Sequence, residues 1–191
     1  MALSSSTKNG QGFSMDFSKI SADFRKEIVR EGTVYLDGQL KVATSADARA
    51  SGLAGMFTAA ATALTAGVVI SIFNSAGAML SARLPMMLGG GVAALFFLTA
   101  AVLCITAIRP VSFWLPGLAP ENWSADVSSG RSLDDCLGER AQHIQEQIAD
   151  NLKTISANAR LFKWGARIGI AAPFIGATVW LLATACRLSA A

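Results

Sequence analysis

Three stretches of this chain contain no Asp, Glu, Lys, Arg or His, and their lengths restrict the fold more than any other feature. They lie between Arg49 and Arg83, between Arg83 and Arg109, and between Arg167 and Arg187, and are 33, 25 and 19 residues long. A helix rises about 1.5 Å per residue, so even the shortest reaches roughly 28 Å, close to the ~30 Å hydrocarbon core of a bilayer. Hydrophobic residues make up 52% of the chain and charged ones 15%, with a mean hydropathy of +0.45, which a soluble domain seldom carries. The expected fold class is an all-α integral membrane protein with three transmembrane helices at about 51–73, 84–108 and 168–188.

Orientation follows from the basic residues that flank these stretches. Seven precede the first (Lys8, Lys19, Arg25, Lys26, Arg30, Lys41, Arg49), Arg83 alone separates the first two, seven lie from Arg109 to Arg167, and Arg187 alone follows the third. The pattern predicts a cytoplasmic N-terminus and central segment and a periplasmic C-terminus. Residues 1–12 lack the apolar region of a cleavable signal, so the first span is expected to serve as an uncleaved anchor. The net charge of +3 sits on membrane flanks where acidic residues are nearly as numerous, which fits an anionic leaflet better than nucleic acid.

Between the spans the pattern changes. Residues 1–12 read as a disordered start. Over 13–50, Phe13, Phe17, Ile20, Phe24 and Ile28 recur at three- and four-residue spacing, which predicts an amphipathic helix that Gly32 interrupts. A second helical stretch then passes through Leu36, Leu40 and Ala43. Residues 109–131 read as an interfacial loop, because Pro110, Pro116 and Pro120 forbid a continuous helix while Trp114 and Trp123 suit the headgroup region. A long helix is expected from Ser132, its N-cap, with Asp134 and Asp135 complementing the positive helix end. Through 132–167 the stripe containing Leu137, Ile144, Ile148, Leu152 and Ile155 is close to a heptad, and forms a packing face either for this chain's own helices or for a second copy. No breaker separates it from the third span, where Pro173 is the expected kink.

The first span carries the most informative constellation. Ser51, Gly55, Ala59, Ala63, Gly67 and Ser71 recur every four residues as a stripe of small side chains. Lipid contact gains nothing from such a stripe, whereas close approach of helix backbones does, so these residues are predicted to pack helices within or between chains. Gly89 with Ala93, Gly90 with Ala94, and Gly165 with Gly169 offer matching surfaces. Phe57 lies off the stripe and is expected to tolerate leucine. Thr58, Thr62 and Thr65 form a hydroxyl line that either faces a water path or bonds to carbonyls one turn back. Asp47, just before the span, either rings a cytoplasmic mouth in an oligomer or marks the membrane edge together with Arg49.

Catalytic signatures are absent: no GxSxG, no GxxxxGK[ST] and no HExxH occurs. Cys104, Cys136 and Cys186 form no CxxC, and Cys136 with the single histidine, His143, does not complete a zinc site. The expectation is therefore a non-enzymatic protein with no cofactor, whose partners are the lipid bilayer and either copies of itself or the subunits of a larger membrane complex.

Thr44-Ser45-Ala46-Asp47-Ala48-Arg49-Ala50, leading into a small-residue span, resembles the start of the transmembrane effector domain of Pycsar antiphage systems. The plan of closely spaced spans with helical cytoplasmic elements is similar to that of SLATT-type effectors, and the stretch from Gln145 to Lys163 is similar to the amphipathic helix that feeds their last span. The resemblance covers about residues 35 to 188. It implies a bacterial inner-membrane protein that oligomerises and perturbs the membrane in stress or antiviral defence. No nucleotide-binding module of the kind found in full effectors is recognisable.

Overall fold

The computed structural model describes residues 20–73, 78–108, 112–117 and 119–189. The expectations for residues 1–12 and for Phe13 and Phe17 lie outside them. Among the described residues four α-helices follow in order: α1 (Ala22–Phe73), α2 (Ala78–Ala107), α3 (Ser124–Ser128) and α4 (Leu133–Ser189), with a 3-10 turn at Pro120–Trp123 before α3. No strand occurs among the described residues. Three helices, α1, α2 and α4, are long and apolar enough to cross a membrane. The chain divides into two compact units, one made of Met1–Asp37 with Leu115–Ala149 and the other of Gly38–Trp114 with Asp150–Ala191.

In the first unit, α1 runs through Gly32 without interruption, against the expected break. The glycine serves proximity instead: a Cβ there would lie 2.5 Å from Cγ2 of Ile144. A single glycine costs a helix only ~1 kcal/mol, which packing readily offsets. Leu36 is fully enclosed, and Leu137, Ala141 and Ile144 supply the buried face of α4, whereas Phe24 is 58% exposed despite its place in the apolar pattern. An ion pair between Arg25 and Asp134 ties the start of α1 to the start of α4. The cap forms as expected: Ser132 Oγ accepts from the Asp135 backbone N–H at 3.2 Å and donates to the Asp135 carboxylate at 2.6 Å. The segment expected as loop is partly helical. The 3-10 turn starts at Pro120, whose fixed φ suits a first helical turn, and Gly130 closes α3 with φ +66°.

In the second unit, α2 begins at Ala78, earlier than the expected 84, and carries Arg83 and Pro85 inside it. A charge does not mark the boundary here, because a long arginine stem can lie along an apolar helix while its head reaches water. Helix α4 continues through Pro173 to Ser189. The core joins Ala54 and Phe57 of α1 to Ala100, Ala101 and Cys104 of α2, with Phe97, Phe162 and Ile168 packed against it. The rings of Phe57 and Phe97 lie 5.9 Å apart and tilted by 32°. Phe57 is 8% exposed, so it is a core residue and not the tolerant position its place off the small stripe suggested.

Candidate membrane-embedded interaction surface

Within the second unit, helix contacts depend on glycines, though not on the stripe of α1. A Cβ at Gly89 of α2 would lie 2.6 Å from the carbonyl oxygen of Gly176 of α4, and one at Gly176 would lie 2.7 Å from Cβ of Ala93. Gly165 meets Cys104 and Ala100 in the same way, and the ring of Phe57 occupies the space where Gly169 would carry a side chain. The pairs Gly89–Ala93 and Gly165–Gly169 thus supply α2–α4 and α1–α4 contacts. Small side chains let the backbones approach closely, so that dispersion acts along the whole contact.

The face of α1 turned to this core is Ala50, Ala54, Phe57 and Ala61, all buried. The predicted stripe lies elsewhere. Ser51, Gly55, Ala59, Ala63 and Gly67 are exposed and Ser71 half-buried, and a Cβ at Gly55 or Gly67 would meet nothing within 4 Å. At Gly55 and Gly67 the stripe makes no close contact within the chain, whose own core meets α1 through Ala54 and Phe57. Only 11% of the apolar window of α1 is buried, against 33% for that of α2, so α1 keeps most of its surface for other contacts. The C-terminal half of the stripe opens onto a cavity. Ala63, Gly67 and Ser71 line a space of about 600 Å³ together with Gly90, Gly176 and Trp180.

The hydroxyl line is satisfied within its own helix. Thr58 donates to the Ala54 carbonyl at 2.8 Å, Thr62 to Thr58 at 2.9 Å and Thr65 to Ala61 at 2.8 Å. These threonines border a second groove, of about 810 Å³, whose α2 wall includes Leu88, Gly91 and Leu95. With hydroxyls already bonded and an apolar facing wall, this groove suits hydrocarbon better than water.

Asp47 is half-buried beside a small cavity of about 180 Å³ that Arg49, Asn158 and Phe162 also line. Arg49 does not pair with it; the guanidinium donates to the carbonyl and the hydroxyl of Ser45, each at 3.2 Å. On α4, Leu137 and Ile144 are buried and Ile148 and Ile155 half-buried, but Leu152 is 52% exposed. Asn151 takes the buried position in that turn, at 2% exposure. It and Arg140 are the residues that pattern reading missed. Both fall in the buried stripe of α4, where polar groups interrupt the apolar series, and that interruption was the available signal.

Among the described residues no three of His, Cys, Asp and Glu come together in a metal-binding cluster. His143 is exposed and lies 3.7 Å from Glu146, whereas Cys136 is buried, which pushes its thiol pKa up. Compared with known protein families, characterised proteins and solved structures, the chain matches none of them.

Proposed function

We propose that this chain is a non-enzymatic protein of the bacterial inner membrane that self-associates through the small-residue face of α1 and acts on the bilayer as a stress or antiphage effector. One observation carries the proposal: Gly55 and Gly67 face open space on a helix whose other face already holds the chain's own core. The Gly55 end of the stripe meets no neighbour inside the chain and gains nothing from lipid, and the same stripe on a second copy supplies the contact. The element from Thr44 to Ala50 that resembles the entry to effector spans leads directly into it. In this reading the three apolar helices span the bilayer, with the central segment cytoplasmic and the end of α4 periplasmic.

Mass determination after purification in mild detergent tests the proposal. A closed homo-oligomer that Gly55→Leu or Ala59→Leu reduces to monomer is the expected result, and a wild-type monomer overturns it. A second reading, as a subunit of a larger membrane complex, draws on the exposed apolar residues Val34, Tyr35 and Leu133 of the first unit, each more than half exposed. Foreign proteins held at fixed stoichiometry through purification would favour it.

A further inference from the structure

Arg140 is the most deeply placed basic side chain of the first unit and the one whose charge is not balanced. It is 8% exposed. The unit's other described basic residues all have carboxylate partners: Arg25 with Asp134, Lys26 with Asp23, Arg30 with Glu27 and Glu31, and Arg131 with Asp126 and Glu139. Arg140 meets no carboxylate among the described residues. Its Nη2 donates at 2.7 Å to the carbonyl of Gly117, a residue in the left-handed conformation with φ +96°. That contact uses one N–H of Nη2 and leaves the positive charge unmatched. Among the described residues, no nitrogen of Arg140 is a fully enclosed polar atom that lacks a hydrogen bond. Burial is also the sole cause that holds its pKa below the ordinary arginine value, as expected of a cation with no counter-charge at hand.

A buried guanidinium without a carboxylate is costly, and its planar fork of donors matches a two-oxygen acceptor. Two features of the surroundings select the acceptor. Asp and Glu outnumber Lys and Arg ten to five in the described parts of this unit, a field that opposes a phosphate of charge near −2 more than a single carboxylate. Arg140 also stands alone, without the second cation that phosphate sites commonly gather. We infer that Arg140 is the receptor for one carboxylate group brought by another molecule, held by the guanidinium N–H groups that the Gly117 contact leaves over. The group belongs either to a small carboxylic acid or to an Asp or Glu of a second copy of this chain. The second source rests on the self-association proposed above, and the first does not.

The test uses the full chain in detergent micelles with ¹⁵N-labelled arginine, following the Nε–Hε resonance of Arg140. Its disappearance in Arg140→Lys identifies it; if that variant fails to fold, substituting the other arginines in turn identifies it by elimination. Acetate is titrated at constant ionic strength against chloride, with inorganic phosphate in parallel. The expected result is a saturable shift with acetate, none with chloride and a weaker one with phosphate. A shift that instead appears on concentrating the protein, and that Gly55→Leu removes together with self-association, assigns the carboxylate to a second copy. An acetate response that survives Gly55→Leu assigns it to a free acid, whatever becomes of self-association. The inference is overturned by the absence of any saturable response to acetate or protein concentration, or by a stronger response to phosphate. It is equally overturned if the resonance moves only in Asp16→Asn, which would make the acceptor this chain's own N-terminal segment.

Discussion

Asn151 and the backbone of Trp114 bond to each other in both directions: the Trp114 N–H donates to Asn151 Oδ1 and Asn151 Nδ2 donates to the Trp114 carbonyl, each at 3.0 Å. An amide side chain is the one type that can offer a donor and an acceptor to a single extended residue in this way. The pair pins the chain that follows α2 onto α4. It also explains why a polar residue holds a buried position in an otherwise apolar stripe. Asn151→Leu supplies the apolar residue that the heptad asks for, yet it removes the partner of the Trp114 N–H and C=O. Trp114 is 52% exposed, so water takes over part of this bonding, and a loss of about 1 kcal/mol is expected, read as a lower melting temperature in detergent. Asn151→Asp keeps one acceptor but loses the donor, and should fall between the two. A Leu variant that melts at or above wild type would remove this role from Asn151.

The second prediction concerns the place where α1 and α4 meet. The Phe57 ring fills the space that a side chain at Gly169 would need. Gly169→Ala must displace a core ring that also contacts Phe97, and overpacking of this kind costs about 1–3 kcal/mol. Phe57→Leu leaves a void in the same cluster and should also destabilise the fold. Gly55→Leu meets open space and should leave the melting temperature of the protomer unchanged. The three variants, melted side by side in one detergent, separate packing within the chain from packing between copies.

The architecture was legible because the bilayer imposes a coarse rule. Uncharged runs long enough to cross it leave few alternatives to helices, and α1, α2 and α4 end at Phe73, Ala107 and Ser189, within a residue of the expected 73, 108 and 188. Which helix face meets which neighbour was not legible. In a soluble helix hydrophobicity marks the buried side, but along the apolar part of α1 both sides are apolar, and Ala54 differs from Gly55 too little to reveal that one is enclosed and the other open. Gly32 was misjudged for a related reason. Local propensity reads a glycine as a break, whereas here the nearness of Ile144 explains why no side chain stands there. The Ser132 cap was legible because its signal is wholly local.

Acid should loosen the first unit through its exposed ion pairs. The hydrogen bond from Arg131, with Nη1 3.0 Å from the carboxylate, is the main reason Glu139 titrates below the ordinary 4.5. Glu27 is held down by Arg30 in the same sense. A carboxyl group with a depressed folded pKa adds stability that is present in full above its unfolded value and is lost as pH falls through the folded one. Hydrogen-exchange protection over residues 126–139, corrected for intrinsic rates, should therefore stay level from neutral pH down to about pH 4.5 and decline below it. Arg131→Gln should flatten that decline. A decline that begins near neutral pH would remove this role from the two glutamates.

Topology is tested by cysteine labelling in a background from which Cys104, Cys136 and Cys186 have been removed. An impermeant thiol reagent added to intact cells is expected to reach Ala78→Cys and Leu188→Cys and to spare Ser128→Cys until the membrane is opened. The order follows from the basic residues on either side of each apolar helix. Labelling of Ser128→Cys from outside would contradict the three-span arrangement.

The last prediction separates action on the bilayer from service in a larger complex. If the chain acts on the membrane through self-association, overproducing it should depolarise cells or slow their growth. Gly55→Leu and Ala59→Leu should then relieve the damage while the protein stays in the membrane, because each alters the open face of α1 and neither touches the protomer's core. The threonine line makes the outcome more specific. Since Thr58, Thr62 and Thr65 already donate to carbonyls of their own helix, changing all three to valine removes no bond that a water path would use. The triple variant should remain as damaging and as well assembled as wild type, with depolarisation read by a potential-sensitive dye and assembly by mass. Loss of damage with assembly intact would mean that the hydroxyls turn outward in the oligomer and line a polar conduit. Harmless overproduction in the native host, both before and during phage challenge, combined with destabilisation of a co-purifying complex on deletion, would exclude the effector and leave the assembly subunit.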